Sequence, residues 1–142
     1  MPFTGPVEDR LAIRELLDTY SHAVCTRDPE LWGSLWAEDS VWLMPDYPEF
    51  AETHGRTAIV EMWNGAMAHY PGILFVTTPG SIEVNGNTAK VVAYTSEVYD
   101  QAGDTKRDRG VYHDECVKLD GKWVFKSRQF RNVHRQSGAK GL

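Results

Sequence analysis

Apolar residues recur three and four apart from Val7 onward. Leu11, Ile13, Leu16, Leu17, Tyr20 and Val24 form one stripe, which predicts an amphipathic helix that stops near Thr26. Asp28-Pro29-Glu30 then starts a second helix, with Asp28 as N-cap and proline at the first helical position. That helix is short, carries Leu31, Trp32, Leu35 and Trp36, and is broken by Ala37-Glu38-Asp39-Ser40. Val41-Trp42-Leu43-Met44 reads as a strand closed by Pro45, and a polar loop runs over 45–56. A third helix follows with Ala58, Ile59, Met62, Trp63 and Met67 on one side, and Pro71-Gly72 ends it.

After Gly72 the period changes from helical to alternating. Ile73–Thr77 predicts a short strand. Ser81–Val84 and Thr88–Val98 flank Asn85-Gly86, and Arg107–Lys118 and Lys122–Val133 flank Asp120-Gly121. Both dipeptides tolerate the positive φ of tight hairpin turns. Helices first and an antiparallel meander after predict an α+β domain, with the N-terminal helices packed on one face of a strongly curved, mainly antiparallel sheet. A curled sheet closed by helices makes a cone, whose open end is a natural small-molecule site. No repeat or linker interrupts the chain, so residues 1–142 count as one domain, with 1–6 and 136–142 as flexible ends.

Composition narrows the function classes. The 142 residues suit a single domain, and a hydrophobic share of 42% can build its core. No apolar run approaches the roughly 20 residues of a membrane span. The start Met1-Pro2-Phe3-Thr4-Gly5-Pro6 lacks the basic and apolar segments of a secretory signal, so a cytoplasmic protein without membrane contact is expected. A net charge of −5, with no Lys/Arg block before the tail, argues against nucleic acid as a partner. Cys25 and Cys116 lack metal-ligand spacing, and a disulfide is not expected. With no zinc spacing, phosphate-cradling glycine motif or dinucleotide fingerprint, chemistry without cofactor or metal is the simplest enzymatic reading.

Several phrases bear on the family. They are Ile13-Arg14-Glu15-Leu16-Leu17-Asp18-Thr19-Tyr20, Arg27-Asp28, Leu35-Trp36-Ala37-Glu38-Asp39, His54-Gly55-Arg56-Thr57-Ala58-Ile59, Ile82-Glu83-Val84-Asn85-Gly86-Asn87-Thr88-Ala89, and Tyr112-His113-Asp114-Glu115 with Asp120-Gly121-Lys122-Trp123. Their order and spacing from Asp9 to His134 resemble the NTF2-like superfamily. The likeness is to its small-molecule enzyme branch of scytalone dehydratase, bile-acid dehydratase, dehydrochlorinase and polyketide cyclase type. The resemblance implies the cone-shaped fold and a homodimer formed through the outer sheet face. It also implies an acid–histidine pair inside the cone, in which the carboxylate orients an imidazole that removes a proton. Here the histidine position is Phe75, and of the two carboxylate positions one is Cys25 and the other Asp28. Other matching positions are Tyr20, Glu97 (Glu for Asp), Arg128 and, within one residue of register, Arg131.

Each candidate also has an ordinary structural reading. Tyr20 donates to a developing oxyanion or packs as a core residue. Asp28 is a base or an N-cap. Glu97 shares a strand face with Ala89, Val91, Ala93 and Thr95, so its carboxyl is half-buried and suited to act as a base, or it pairs with Arg128 or Arg109. Arg128 and Arg131 have opposite parity, so without a bulge only one of them reaches a substrate oxygen. Tyr112 lines the cavity, with Gly110 leaving room for a flat ligand. Phe75, Trp42, Trp63 and Cys25 complete the wall, the five tryptophans being mostly core. His54 stands near the mouth or on a surface turn. Met44, Tyr47 and Phe50 form a hydrophobic lid.

The expected function is that of a cofactor-independent lyase or isomerase acting on a hydrophobic, aromatic or phenolic small molecule. It would proceed by proton abstraction followed by loss of water, halide or formaldehyde, or by cyclisation. Tyr20, Glu97, Arg128 and Asp28 are the catalytic candidates. The alternative is a non-catalytic binding protein that has lost the acid–histidine dyad. An epoxide-hydrolase-like set of Asp28, Arg128 and Glu97 or Asp114 fits the spacing poorly.

Overall fold

A computed structural model describes residues 1–137. In chain order the elements are β1 (Phe3–Thr4), α1 (Val7–Thr26), α2 (Pro29–Ser34), β2 (Trp36–Leu43), β3 (Glu52–His54), α3 (Arg56–Met67), β4 (Leu74–Asn85), β5 (Thr88–Gln101), β6 (Asp104–Leu119) and β7 (Lys122–Ser137). A 3-10 turn at Pro48–Phe50 lies between β2 and β3. The sheet order is β1-β4-β5-β6-β7-β2-β3. Strands β4 to β7 form an antiparallel meander. At its edges β1 joins β4 and β2 joins β7 in parallel, and β3 pairs back onto β2. Helix α1 packs along β4, α3 against β2, and α2 bridges the two helices. The architecture is the α+β cone that the sequence pattern predicts.

Alternation sets which residues see the interior. On β5 Ala89, Val91, Ala93, Thr95 and Tyr99 are buried, and on β6 so are Asp108, Gly110, Tyr112, Asp114 and Cys116. Residues of opposite parity, such as Tyr94 and His113, face out. All five tryptophans are buried. Trp32 stacks on Trp63 at 4.6 Å and 12° and touches Trp36 and Trp42, where α2, α3 and β2 meet.

The elements differ from the sequence expectation in four places. Strand β2 begins at Trp36, so the Ala37–Ser40 segment continues it instead of breaking a helix. A register shift against β7 between Trp36 and Val41 lets Glu38 and Asp39 face out and hides the alternation. The polar loop contains β3. Strand β4 is continuous through Pro79-Gly80, which a bulge absorbs between Pro79 and Ser81. A third hairpin turns at Ala102-Gly103, both with positive φ, and its polar flanks extend β5 and β6 beyond the expected ends. The ends differ as well. Phe3–Thr4 is a strand and not a loose lead-in, and β7 continues to Ser137. The remainder of the expected flexible tail, 138–142, lies outside the described residues.

Asp28 stands at the α1–α2 junction, where Arg27 takes a left-handed conformation at φ 55°. Its Oδ1 accepts a hydrogen bond from the Leu31 amide at 3.0 Å, which caps α2. Asp28→Ala is expected to lower unfolding stability by about 1 kcal/mol, the usual worth of such a cap, read from the urea midpoint.

Candidate active site

The wide end of the cone holds a cavity of about 110 Å³. For scale, an engineered apolar cavity of roughly 150 Å³ takes up benzene, so this one has room for about a single six-membered ring. Every layer contributes to its wall. Helix α1 supplies Tyr20 and Val24, β2 supplies Trp42, and the loop after β2 supplies Met44, Tyr47 and Phe50. From α3 and the segment after it come Met62, Trp63, Ala66, Met67, Tyr70 and Ile73. The sheet adds Phe75, Glu97, Tyr112 and Phe130, one from each of β4 to β7. Among the described residues Glu97 is the one ionisable carboxyl in this wall, and no Lys, Arg or His lines it.

Two phenols meet at one side of the cavity, Tyr20 from α1 and Tyr112 from β6, with their hydroxyl oxygens 3.2 Å apart. Behind them lies Arg128. Its guanidinium carbon is 3.6 Å from the Tyr112 ring centroid, 4.1 Å from Phe125 and 4.4 Å from Tyr20. Arg128 donates from Nε and Nη2 to the two Asp114 carboxylate oxygens at 2.8 and 3.0 Å. Both side chains are buried, and this bidentate fit is the geometry of a charged pair. Burial pushes the Asp114 carboxyl up from its ordinary value against the pull of Arg128. Burial also opposes the Arg128 charge, but Asp114 and the two tyrosines outweigh it and hold the guanidinium ionised. Burial raises the Tyr20 and Tyr112 phenols as well, so both keep their protons at neutral pH. A pair of protonated phenols uses one O–H internally and leaves the other free to donate to a ligand oxygen.

Glu97 occupies a different row of the sheet. Phe75, Glu97, Asp108 and Arg135 are successive cross-strand partners on β4, β5, β6 and β7. The Glu97 carboxyl makes no hydrogen bond or ion pair among the described residues. Burial, reinforced by the Asp108 carboxylate and opposed by Arg135, pushes it up to about 8. A carboxyl with that value exchanges protons near neutral pH. Asp108 is engaged on both sides, accepting from Tyr99 Oη at 2.8 Å and from Arg135 Nε at 3.1 Å.

A sequence profile described as the SnoaL-like domain matches residues 6–129. The chain belongs to the SnoaL-like domain family, within the NTF2-like superfamily. No curated protein matches it. Among solved structures, a candidate scytalone dehydratase from Novosphingobium aromaticivorans DSM 12444 superposes with a TM-score of 0.81 at 22% identity, covering 96% of this chain and 95% of that one. A hexachlorocyclohexane dehydrochlorinase of LinA type 3, from Novosphingobium barchaimii LL02, gives 0.83 at 18% identity, covering 96% and 93%. A single-residue variant of Rv3472, a protein of unknown function from Mycobacterium tuberculosis, gives 0.81 at 25% identity, covering 91% and 79%.

In this SnoaL-like chain Tyr20, Glu97, Tyr112, Phe75, Trp42 and Trp63 reach the cavity wall, as do the lid residues Met44, Tyr47 and Phe50. Five other candidates do not. Asp28 is spent on capping α2. The Cys25 thiol lies against the Phe75 backbone, accepting from its amide at 3.3 Å. His54 is exposed on β3 beside Glu52. Arg131 is exposed and clasps Asp46 with two hydrogen bonds of 3.1 Å. No register shift separates it from Arg128, so the two face opposite ways. Arg128 itself is sealed behind the tyrosine rings and touches them instead of a ligand. Glu97 pairs with neither Arg128 nor Arg109. Gly110 leaves space for a flat group, but that group is the Phe130 ring, whose Cε1 and Cζ would lie 2.4 Å from a Cβ there.

Asp108 and Arg135 were not among the candidates. Continuing the parity of Tyr112 and Gly110 by one more step reaches Asp108, so its inward position was available from the pattern. Arg135 lies past the expected end of the last strand. Among the described residues no group of three or more His, Cys, Asp or Glu side chains gathers into a metal-binding cluster.

Two outcomes follow from the electrostatics. Glu97 holds its proton up to about pH 8 when folded and releases it near 4.5 when unfolded. Between those values the folded state binds the extra proton, so stability falls as pH rises through that window. Glu97→Gln is expected to flatten that part of the pH–stability curve measured by urea titration. Asp114→Ala leaves a buried guanidinium uncompensated and should cost about 3–5 kcal/mol, while Asp114→Leu combined with Arg128→Met recovers most of it, measured as unfolding free energies of the single and double variants.

Proposed function

We propose that the protein is a cofactor-independent lyase or isomerase of small hydrophobic ring compounds that bear an oxygen. The observation that carries this reading is a proton-exchanging carboxyl, Glu97, in the same apolar cavity as a hydrogen-bonded phenol pair, Tyr20 and Tyr112. Glu97 takes a proton from the ring substrate. The electrons of that bond move toward the substrate oxygen, expel halide, or expel a hydroxyl that takes up the free phenol proton and leaves as water, or they close a ring. The free phenol hydrogen stabilises the oxygen as it gains charge. Apolar walls strengthen both interactions by excluding water. The likeness to structures described as a scytalone dehydratase and a dehydrochlorinase supports elimination as the reaction type.

The lining also supports a choice of substrate charge. With Arg128 sealed away and Glu97 the ionisable carboxyl of the wall, a carboxylate-bearing ligand would find no cation, so a neutral compound is favoured. Exposed Leu74, Val76, Tyr94 and Val133 on the outer face of the sheet support a second copy of the chain as partner. The non-catalytic reading rests on Phe75 standing where the dyad histidine is expected.

The test begins with a melting-shift screen of neutral one-ring phenols, alcohols and ketones against their carboxylate analogues. Three of the four methionines, Met44, Met62 and Met67, line the cavity, so methyl NMR reports occupancy directly. Compounds that bind are then assayed for turnover. Glu97→Gln is expected to lower kcat by at least about 100-fold, and Tyr112→Phe by about 100-fold. Full turnover in Glu97→Gln removes the base assignment, and binding with no turnover of any bound compound supports the binding-protein reading.

A further inference from the structure

The wall of the cavity that faces the loop over 44–51 contains an interaction chain that the proposed chemistry leaves unused. The loop is built on itself by the Met44 amide donating to the Ala51 carbonyl at 2.9 Å and the Phe50 amide donating to the Tyr47 carbonyl at 2.9 Å. It is then fastened to β7 at two neighbouring points. Asp46 accepts from both Arg131 nitrogens and from the Asn132 amide, the last at 2.8 Å. The Tyr47 hydroxyl accepts from Asn132 Nδ2 at 2.9 Å and from Arg135 Nη2. Arg135 donates through its Nε to Asp108, and Asp108 is the cross-strand neighbour of Glu97. One guanidinium therefore holds the loop with one nitrogen and the neighbour of the cavity carboxyl with another.

We propose that Arg135 is a positioning residue that couples seating of the 44–51 loop to the charge of Glu97, acting through Asp108. The inference rests on the reading of Glu97 as the proton acceptor. The charged and titratable groups that act on or sense Glu97 are Asp108 from β6, Arg135 from β7, Tyr20 from α1, Tyr112 from β6 and Tyr70 from the segment after α3, with Tyr99 completing the Asp108 contact. The four phenols are neutral near pH 7, all being raised by burial first. Beyond burial, which is the largest cause, the balance of charges at Glu97 is therefore struck between one carboxylate and one guanidinium. With the loop seated, Tyr47 and Asp108 together hold Arg135 in place, and its charge offsets part of the Asp108 effect on Glu97, which burial still holds at about 8. With the loop displaced, Arg135, already half-exposed to water when it is seated, loses one of its two anchors. Asp108 then acts on Glu97 with less compensation, and the proton stays on. The loop contact therefore limits how far Glu97 rises: seated, it stands at about 8, and freeing Arg135 moves it further from the acceptor form.

The test reads Glu97 itself. Carboxyl 13C NMR of the glutamate-labelled protein follows its titration, with the signal assigned by its disappearance in Glu97→Gln. Arg135→Gln is expected to raise the midpoint by about one pH unit, Arg135→Lys to restore part of it, and Asp108→Asn to lower it. Tyr47→Phe, which removes the loop's contact with Arg135 but keeps the ring over the cavity, is expected to move the midpoint up in the same direction as Arg135→Gln. A purely structural role for Arg135 would not move Arg135→Gln and Asp108→Asn in opposite directions. Midpoints that stay at the wild-type value, or that shift in the same direction in both variants, overturn the proposal. So does a shift in Arg135→Gln with none in Tyr47→Phe, because the loop would then have no hold on Glu97. The measurement needs no substrate, so it is separate from the role of Glu97 in turnover: an active Glu97→Gln enzyme would remove that role while leaving these midpoints to stand or fall independently.

Discussion

The Arg128 guanidinium has no access to water, and the arrangement of the cone's interior depends on how it is compensated. An isolated charge in such a place would be prohibitive. Asp114 supplies two hydrogen bonds across adjacent strands, and the faces of Tyr20, Tyr112 and Phe125 supply the rest of the surroundings. Compensating the charge this way requires α1, β6 and β7 to hold those three rings in fixed positions, and it leaves Arg128 Nη1 without a hydrogen-bond partner among the described residues. The same requirement brings the Tyr20 and Tyr112 hydroxyls together. A charge sealed from the cavity thus organises one place in the wall that can donate hydrogen bonds to a ligand. Removing it would disturb chemistry and stability together, which is why its place in the fold is that of a support and not of a binding group.

Polarity in the cavity is concentrated at two ends of an otherwise apolar wall. The phenols keep their protons and donate, and Glu97 exchanges its proton near neutrality. Both behaviours come from burial, but with opposite consequences: burial removes ionisation from a group that is already neutral at pH 7, and it brings an acid that would be fully ionised back into the working range. Phe75, beside Glu97 across the β4–β5 pair, contributes to that burial. In this chain an aromatic ring at the position expected for a histidine helps to tune a carboxylate instead of holding an imidazole.

Much of the fold was legible in the chain. The helical stripe from Leu11 to Val24, the Asp28-Pro29 restart and the Asn-Gly and Asp-Gly hairpins are local signals, and local backbone preferences carry them. The inward parity of Glu97, Tyr112, Gly110 and Asp114 was readable for the same reason, since side-chain direction alternates along any strand. That parity separated Arg128 from Arg131. Asp28 was recognisable as a cap because the cap requires only its neighbours.

What the sequence could not decide was who touches whom. Whether Gly110 makes room for a ligand or for Phe130 depends on a ring arriving from another strand. Whether Arg128 meets a substrate or Asp114 depends on the β6–β7 register, which bulges shift twice. Strand β2 was concealed because its alternation is broken where it shifts against β7, and Arg135 because strand pairing with β6, and not its own polar surroundings, keeps that end of β7 ordered. The sequence by itself determined the helices, the Asn85-Gly86 and Asp120-Gly121 turns and the cone, because those follow from short-range conformational preference and period. The tertiary structure decided which polar groups share the cavity and which charges are cancelled, because proximity across strands is set by register and packing over distances that no local pattern spans.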